Sequence, residues 1–589
     1  MTTVNEVAWR GAAGNWTGPY AAAAELDARL GDPADPDNPC GFAAMRGRDE
    51  RAAFPDALVE SAGEALRLSY LPARHGGELS TMDEALAMVR VAARRDITVM
   101  PATMFSITAA GCVLLAGSDE QRRRVVGLLR DGGAVGFALS EAEHGSDLLS
   151  NTCALTRDFE GALRLDGHKW LVGLGSRCDA LLVVARSGGR GPAAFSTVLV
   201  EGDAVRDART GEQQRPAGMR GIDFAGFRFD GTPVPEESVV GETGRGMETA
   251  MTAMQLVRTT SAAANLAGTD TALRLALDFA TDHVVAGSAL IDQEHARREL
   301  GTAAAAVVAC DALALACTRA LHTAPAAASL HSSVVKKVLT ELSAEVFARC
   351  ADVLGTRSQL PGAFETARRD NEVVRYVDTG PVANIRQVAA QVVRVLAADG
   401  GDPDDALAGT FALDAPLPEF RLDRLVLSCR RDPFVSALPA VVARADRALL
   451  TSGNGDAAAL VRQVAHDLAE MGEHAGRARD AEDRFEHAER FCYLHAAACC
   501  VHLWWFSRHL PLFGGAPESP EWLAAALRLL LDRARGVTTR LPAELAEPLA
   551  RRARALHRSG RLVSAVALPL AESGRAHAGT EDDRGRHDG

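Results

Sequence analysis

Residues 136–147 read GFALSEAEHGSD. Four apolar or small residues lead into Ser140 and Glu141, a polar turn carries Gly145, and the turn closes on Ser146 and Asp147. The pattern is that of a buried strand ending in a loop with exposed hydroxyls and backbone N–H groups, which suits a cofactor or an anion. Taken alone, an ordinary strand and turn is the favoured reading. The neighbouring sequence shifts the balance.

Residues 165–187, LDGHKWLVGLGSRCDALLVVARS, form a hairpin-like turn and two β-rich runs split by a Gly/Ser loop. Residues 218–241, GMRGIDFAGFRFDGTPVPEESVVG, follow at a matching interval. In this order and spacing the three stretches resemble the middle β domain of the acyl-CoA dehydrogenase family. The resemblance runs from about residue 68 to about residue 397, and Pro72, Gly76 and Gly77 fit the family's PxxxGG loop. It implies a mainly α fold with a central β domain: a helical N-domain, a β-barrel-like middle domain and a four-helix bundle.

A chain of 589 residues exceeds one hydrophobic core, so three or four domains are expected. Hydrophobic residues are 47% and charged residues 24%, a globular balance. Aromatics are only 5%, so alanine, leucine and valine must fill the core, which favours helices. The net charge of −13 argues against non-specific nucleic-acid binding. The 11 cysteines show no CxxC pair and read as reduced thiols. The start, MTTVNEVAWRG, lacks signal-peptide order, and no apolar run reaches the ~18 residues of a membrane helix. A soluble cytoplasmic enzyme without membrane contact is the expectation.

Five segments emerge. Residues 1–133 are a helical domain behind an arm, residues 1–50, whose GDPADPDNPCG stretch reads as irregular. Within it SDEQRRRVVGLLR is a helix with an acidic start, and a helix near residue 82 is capped by Ser80 or Thr81. Residues 134–243 switch to short β-rich runs. Residues 244–400 carry helical patterns at 247–266, 270–285, 292–321, 329–351 and 382–397, enough for an antiparallel bundle. After a linker, ADGGDPDDALAG, residues 401–570 add helices near 433–450, 457–475, 480–509, 520–535 and 543–557. Some very-long-chain members and acyl-CoA oxidases carry a comparable extra domain. Residues 571–589 read as a disordered polar tail.

The family's reaction removes two hydrogens from an acyl thioester: a carboxylate takes the α-proton and a hydride leaves the β-carbon for N5 of FAD. By resemblance, Phe137, Leu139 and Ser140 lie beside the flavin, and Gly145 and Ser146 contact the cofactor pyrophosphate or the substrate. Gly173 stands where the family often has Thr or Ser, and Leu171 where it often has Trp; the substitutions imply weaker FAD contacts or a wider pocket. The base of many members follows an Arg–Asp pair by eight residues. Counting from Arg369–Asp370 reaches Asp378, with Thr379 and Gly380 completing the slot of a Glu–Gly–Thr turn. The carboxylate survives one methylene shorter, and a misplacement of ~1 Å can cost on the order of a hundredfold in rate. The competing reading is a loop or cap aspartate in a chain without activity. The other known base position is Val257, before the substrate-side Arg258, and cannot serve. The RxxFG segment that faces the pyrophosphate reads HVVAG, leaving His283 as a donor without a fixed charge. The QxxGG segment that a neighbouring subunit offers to the adenine end reads DVLGT and keeps only Gly355.

No metal is expected. Cys492, His495, Cys499 and His502 share one helix face, but ten helical residues span ~15 Å, too far for one ion. Trp504, Trp505 and Phe506 read as core. GETGRG at 241–246 follows a Pro-rich turn and is a hinge, not a dinucleotide fingerprint. The resulting expectation is an FAD-dependent acyl-thioester α,β-dehydrogenase, a homodimer or homotetramer. Its substrate rides on CoA or on an acyl-carrier protein, and its acceptor is electron-transfer flavoprotein or oxygen. The altered pocket points to a specialised acyl chain in biosynthesis. Two alternatives stay open: a flavin oxidase or monooxygenase resembling nitroalkane oxidase, which also uses Asp, or the amine N-hydroxylases; and a degenerate, non-catalytic member.

Overall fold

A computed structural model describes residues 20–398, 404–474 and 480–572. The N-terminal layer contains α1 (Ala21–Leu30), α2 (Phe42–Arg51), α3 (Asp56–Leu68), α4 (Met82–Ala93), α5 (Val99–Ala116) and α6 (Asp119–Arg130). The expected irregular arm is therefore corrected over residues 21–51: two helices flank the Pro-rich turn, and Asn38 pins that turn by donating Nδ2 to Leu30 O (2.9 Å) and Asp32 O (2.8 Å). Thr81 caps α4 by accepting from Glu84 N–H, and Ser118 and Gln121 form a reciprocal capping box on α6.

The chain then turns to strands: β1 (Val135–Ala138), β2 (Ala154–Arg157), β3 (Leu163–Gly173), β4 (Ala180–Arg186) and β5 (Phe195–Glu201), a short helix α7 (Asp203–Ala208), then β6 (Arg209–Gln214), β7 (Phe224–Val234) and β8 (Val239–Val240). They form one mixed sheet in the order β6-β7-β3-β2-β4-β5-β8, with β1 parallel to β4. β4 reads ALLVVAR because both its faces are covered; six of its seven residues are buried.

Helices return with α8 (Gly246–Thr260) and α9 (Ala262–Asp282). A two-residue-per-strand hairpin, β9 (Val284–Val285) and β10 (Ser288–Ala289), follows, then α10 (Glu294–Thr323), α11 (Ala328–Leu354), α12 (Ala363–Val374) and α13 (Pro381–Leu396). α9, α10, α11 and α13 match the expected helices to within a turn, except that α9 begins eight residues early. The added domain holds α14 (Asp404–Phe411), α15 (Pro433–Ser436), α16 (Leu438–Thr451), α17 (Gly455–His474), α18 (Ala481–Ser507), α19 (Glu521–Ala534) and α20 (Ala543–Arg558). α18, α19 and α20 pack on α10, which is buried at every residue from 300 to 322. Val99–Ala116 and Glu294–Thr323 are both long and apolar enough to cross a membrane, contrary to the sequence expectation. They are 83% and 100% buried inside the protein, as core helices.

A belt of buried charge ties the three helical layers together. Arg95, two residues past α4, donates to Asp27 of α1 (2.7 Å), Arg94 to Asp270 of α9 (2.6 Å), and Arg90 of α4 pairs with Asp311 of α10. The segment after α20 threads into this belt: Ala565 N–H reaches Asp311 (2.7 Å) and Ala571 N–H reaches Asp27 (2.7 Å). Glu572 pairs with both Arg94 and Arg274. The polar tail was expected to start at Ala571; Ala571 and Glu572 are instead half-buried and bound to the charged belt, and residues 573–589 lie outside the described residues.

Candidate active site

The residues singled out from sequence fall into three groups, one at the sheet and two in the bundle. The first sits where β1 runs out. Leu139 O accepts from Asn151 Nδ2 (2.7 Å) and from Lys169 Nζ (3.0 Å). Glu141 accepts from Lys169 Nζ (3.0 Å), Thr152 N–H (2.8 Å), Thr152 Oγ1 (2.9 Å) and Cys153 N–H (2.9 Å). Burial opposes charge on Glu141, but these donors outweigh it and hold its carboxyl below the usual carboxylate range. Both Glu141 and Lys169 are buried, so this pair fixes the loop rather than meeting a ligand. Neither was singled out from sequence.

Trp170 N–H donates to Ser140 O (3.0 Å), bringing the predicted Ser140 against the β3 end. A register shift follows Lys169, and Leu171 takes φ +50, a left-handed conformation rare outside glycine. Such irregularities re-aim side chains beside sites: Trp170 and Leu171 are exposed at 37% and 38%. Phe137 is half-buried, Leu139 buried, and Gly145 and Ser146 lie on the exposed turn. Gly173 is pressed by Phe105 of α5, since a Cβ there would stand 2.1 Å from Phe105 Cδ2. Phe105 in turn packs on Phe224, ring centroids 5.7 Å apart. The space left by the missing Thr or Ser is therefore filled, and the expected widening at Gly173 is corrected.

The second group is Asp378, Thr379 and Gly380, between α12 and α13, with Arg258 of α8. Arg258 donates Nε to Thr379 Oγ1 (2.7 Å), and Asn384 braces the loop through Thr379 O (3.2 Å). Asp378 is held at φ +66. Its Oδ2 is buried without a hydrogen-bond partner and lies 4.0 Å from Lys336 Nζ on α11. Burial pushes the Asp378 carboxyl above its ordinary range, with Lys336 and Arg258 opposing. Burial also pulls Lys336 down to about 8 and Arg258 down to about 10. The Arg369–Asp370 pair is structural: Asp370 accepts Met219 N–H (2.5 Å), and Gly218 has no room for a Cβ against Arg369 O.

The third group lies at the hairpin end of the bundle. His283 is exposed and stacks on Phe279 (4.7 Å), and the guanidinium of Arg357 lies 5.1 Å from the same ring, two residues after Gly355. Val284 and Leu360 are exposed nearby in sequence, at 63% and 58%. Among the described residues no hydrogen bond or salt bridge joins the first group to the second.

These features fit a flavin. Trp170 and Leu171 offer an apolar surface, Gly145, Gly355 and Gly380 present backbone with open space where a side chain would be, and Asp378 Oδ2 is an acceptor awaiting a partner. On the helix considered above, His495 comes together with His331 and Asp432, their ligand atoms all within 4.8 Å of one another. His495 donates Nε2 to Asp432 (2.8 Å), which also accepts from His331 Nε2 (3.1 Å) and Phe434 N–H (3.0 Å). Both carboxylate oxygens are thereby satisfied, and Trp504 is buried in the same domain.

Comparison with known proteins agrees with this geometry. Residues 136–232 match the family model "Acyl-CoA dehydrogenase, middle domain", and residues 244–393 match "Acyl-CoA dehydrogenase, C-terminal domain". A probable acyl-CoA dehydrogenase, FadE25 of Mycobacterium tuberculosis, is 25% identical over 245 residues, 41% of this chain and 62% of that protein. The match thus spans less than two thirds of that relative. The mitochondrial isobutyryl-CoA dehydrogenase of Bos taurus is 25% identical over 59% of this chain and 82% of its own. Butyryl-CoA dehydrogenase from Megasphaera elsdenii superposes with a TM-score of 0.57 at 17% identity, covering 66% of this chain and 98% of that one. The chain belongs to the acyl-CoA dehydrogenase family. Members of that family are FAD-dependent flavoproteins.

Proposed function

We propose that this protein is an FAD-dependent dehydrogenase of an acyl thioester, with Asp378 as the base. The observation that carries the reading is the buried, unpartnered Oδ2 of Asp378 in a site shared with Arg258 and Lys336. A base needs a lone pair free for the substrate proton, and Asp378 Oδ2 has no hydrogen-bond partner while burial raises its carboxyl. It takes the α-proton of the thioester. Arg258 orients the loop through Thr379, and its charge opposes the burial cost on the ionised base. Bound FAD supplies the hydride acceptor. Phe137, Leu139, Ser140, Leu171 and Gly173 would hold the flavin ring, Gly145 and Ser146 the diphosphate or thioester, and Thr379 and Gly380 would add further cofactor contacts. His283 would donate to the pyrophosphate, and Gly355 would lie in the segment offered to a neighbouring subunit's adenine end, a role supported by the exposure of His283, Val284 and Leu360. The working form is a cytoplasmic homodimer or homotetramer acting on a CoA or carrier-protein thioester in biosynthesis, with electron-transfer flavoprotein or oxygen as acceptor.

The test is anaerobic mixing of purified flavoprotein with a panel of acyl-CoA and acyl-carrier thioesters. One thioester class bleaches the flavin, and Asp378→Asn slows bleaching by roughly 10²–10⁴-fold. Bleaching at the wild-type rate in that variant removes Asp378 from the mechanism, and a protein that never takes up FAD refutes the enzymatic reading. The shorter carboxylate favours one second reading, an oxidase of the nitroalkane-oxidase type, which steady peroxide production from a nitroalkane without thioester turnover would establish.

A further inference from the structure

Lys336 lies inside the bundle, on α11, among buried Val334, Val335, Val338 and Leu339. An ammonium in such surroundings is costly unless partnered. Its Nζ donates to Val374 O (2.7 Å), at the end of α12, and to Ser261 Oγ (3.4 Å). A lysine has three N–H donors, so one remains. The nearest carboxylate oxygen is Asp378 Oδ2, 4.0 Å away and itself without a hydrogen bond. A donor and an acceptor of opposite charge thus face each other in a buried site, about 1 Å beyond charge-assisted hydrogen-bond length. Asp378 also occupies a left-handed backbone conformation, unfavourable for a non-glycine residue and held by its surroundings. A short side chain on a strained loop keeps the carboxylate close to the backbone, on the α11 side.

Resting on the reading of Asp378 as the base, we propose that Lys336 is its positioning residue: the ammonium keeps the carboxylate ionised and draws it toward α11 between turnovers. Two charged groups act on Asp378, Lys336 from α11 and Arg258 from α8; the neighbouring Thr379 and Asn384 are neutral. Arg258 is bound to the loop through Thr379, whereas Lys336 faces the carboxylate itself. A lysine that merely capped α12 would need only the bond to Val374 O. The two roles separate in Lys336→Gln, which keeps an N–H donor for that carbonyl and removes the charge.

The experiment uses the full-length, FAD-loaded protein and the thioester that bleaches it. The acid limb of kcat/KM against pH is recorded for wild type, Lys336→Gln and Lys336→Arg. An opposite charge at this distance depresses a carboxyl by about 1–3 pH units, so Lys336→Gln moves the limb upward by about one unit or more, and Lys336→Arg restores it. Lys336→Met, uncharged and shaped like its apolar neighbours, gives the same shift if the glutamine variant folds poorly. A second readout needs no turnover: unfolding midpoints of Lys336→Gln, Asp378→Asn and the double variant at pH 7 show non-additive effects when the two groups interact. An unmoved acid limb in Lys336→Gln and Lys336→Met, with Asp378→Asn inactive, overturns the positioning role and leaves the base. Wild-type turnover by Asp378→Asn overturns the base assignment, and the positioning role with it. Additive midpoints overturn the pairing directly.

Discussion

Restoring a side chain at Gly173 tests whether Phe105 has taken the space above the β3 end. A Cβ at Gly173 would stand 2.1 Å from Phe105 Cδ2 and 2.4 Å from Cε2. Carbon atoms make contact at about 3.5–4.0 Å, so the overlap is about 1.5 Å. The Phe105 ring cannot simply swing toward Phe224, whose centroid is already 5.7 Å away. Overpacking of this kind costs about 1–3 kcal/mol, the expected destabilisation of Gly173→Ala. Phe105→Ala alone creates a void and costs up to about 3–5 kcal/mol, less for a half-buried ring. In the double variant the clash is gone, so the two effects fall short of their sum by about 1–3 kcal/mol. Urea unfolding of the four proteins, followed by far-ultraviolet circular dichroism, measures that difference. Flavin content per chain gives a second reading: Gly173→Thr lowers it, and adding Phe105→Ala recovers it. Gly173→Ala tolerated within about 0.5 kcal/mol beside native Phe105 would show that the ring yields freely, and the packing explanation of this glycine would be wrong.

Glu141→Gln leaves Lys169 buried without its charge partner and costs about 3–5 kcal/mol at pH 7. Because the folded-state carboxyl is held low, its stabilisation is complete above the unfolded value of about 4.3 and is lost as pH falls through the folded value; the gap between wild type and variant therefore narrows in urea titrations below about pH 4. Asp432→Asn cannot accept from both His331 and His495 and costs about 1–3 kcal/mol, read as faster amide hydrogen exchange along α18. Ending the chain after Leu570 removes Glu572 from Arg94 and Arg274 and costs about 3–5 kcal/mol, seen as a lower thermal midpoint.

The helical and strand periods made most of the fold legible. β4 is a continuous apolar run, and the five helices expected after residue 430 appear, the first split at Ala437. The arm was missed because Pro, Gly and Asp density drew attention away from AAAAELDARL, a strong helix former directly before it. The site was less legible for a different reason. Asp378, Arg258 and the loop at Ser140 follow from motif spacing, but their supports do not. Glu141 and Lys169 are 28 residues apart, and Arg258 and Thr379 are 121 apart. Lys336 sits mid-helix in no recognisable motif, and only the packing of α11 shows that it is buried. The His–Asp–His cluster joins residues from three elements, whereas spacing along one helix drew attention to His502 and the cysteines instead.

The added domain is fitted closely to the bundle. The matches to the family's two domains end at residue 393, and α16 to α20 follow that point. α18, α19 and α20 lie on α10, and Gly301 of α10 has no room for a Cβ because Ala546 O of α20 would stand 2.0 Å from it. Backbone approach this close marks a fitted interface, not a loosely tethered appendage. The alanine-rich stretch at residues 303–306 permits similarly tight contact in a protein with few aromatics to fill gaps. Without α18 to α20, one face of α10 would be bare and apolar, and a second subunit would be the natural cover. With them that face is closed, while the hairpin end keeps Val284 and Leu360 in the open beside His283 and Arg357. The exposed apolar side chains Val284 and Leu360 therefore stay open at the hairpin end of the bundle, while the face of α10 is covered.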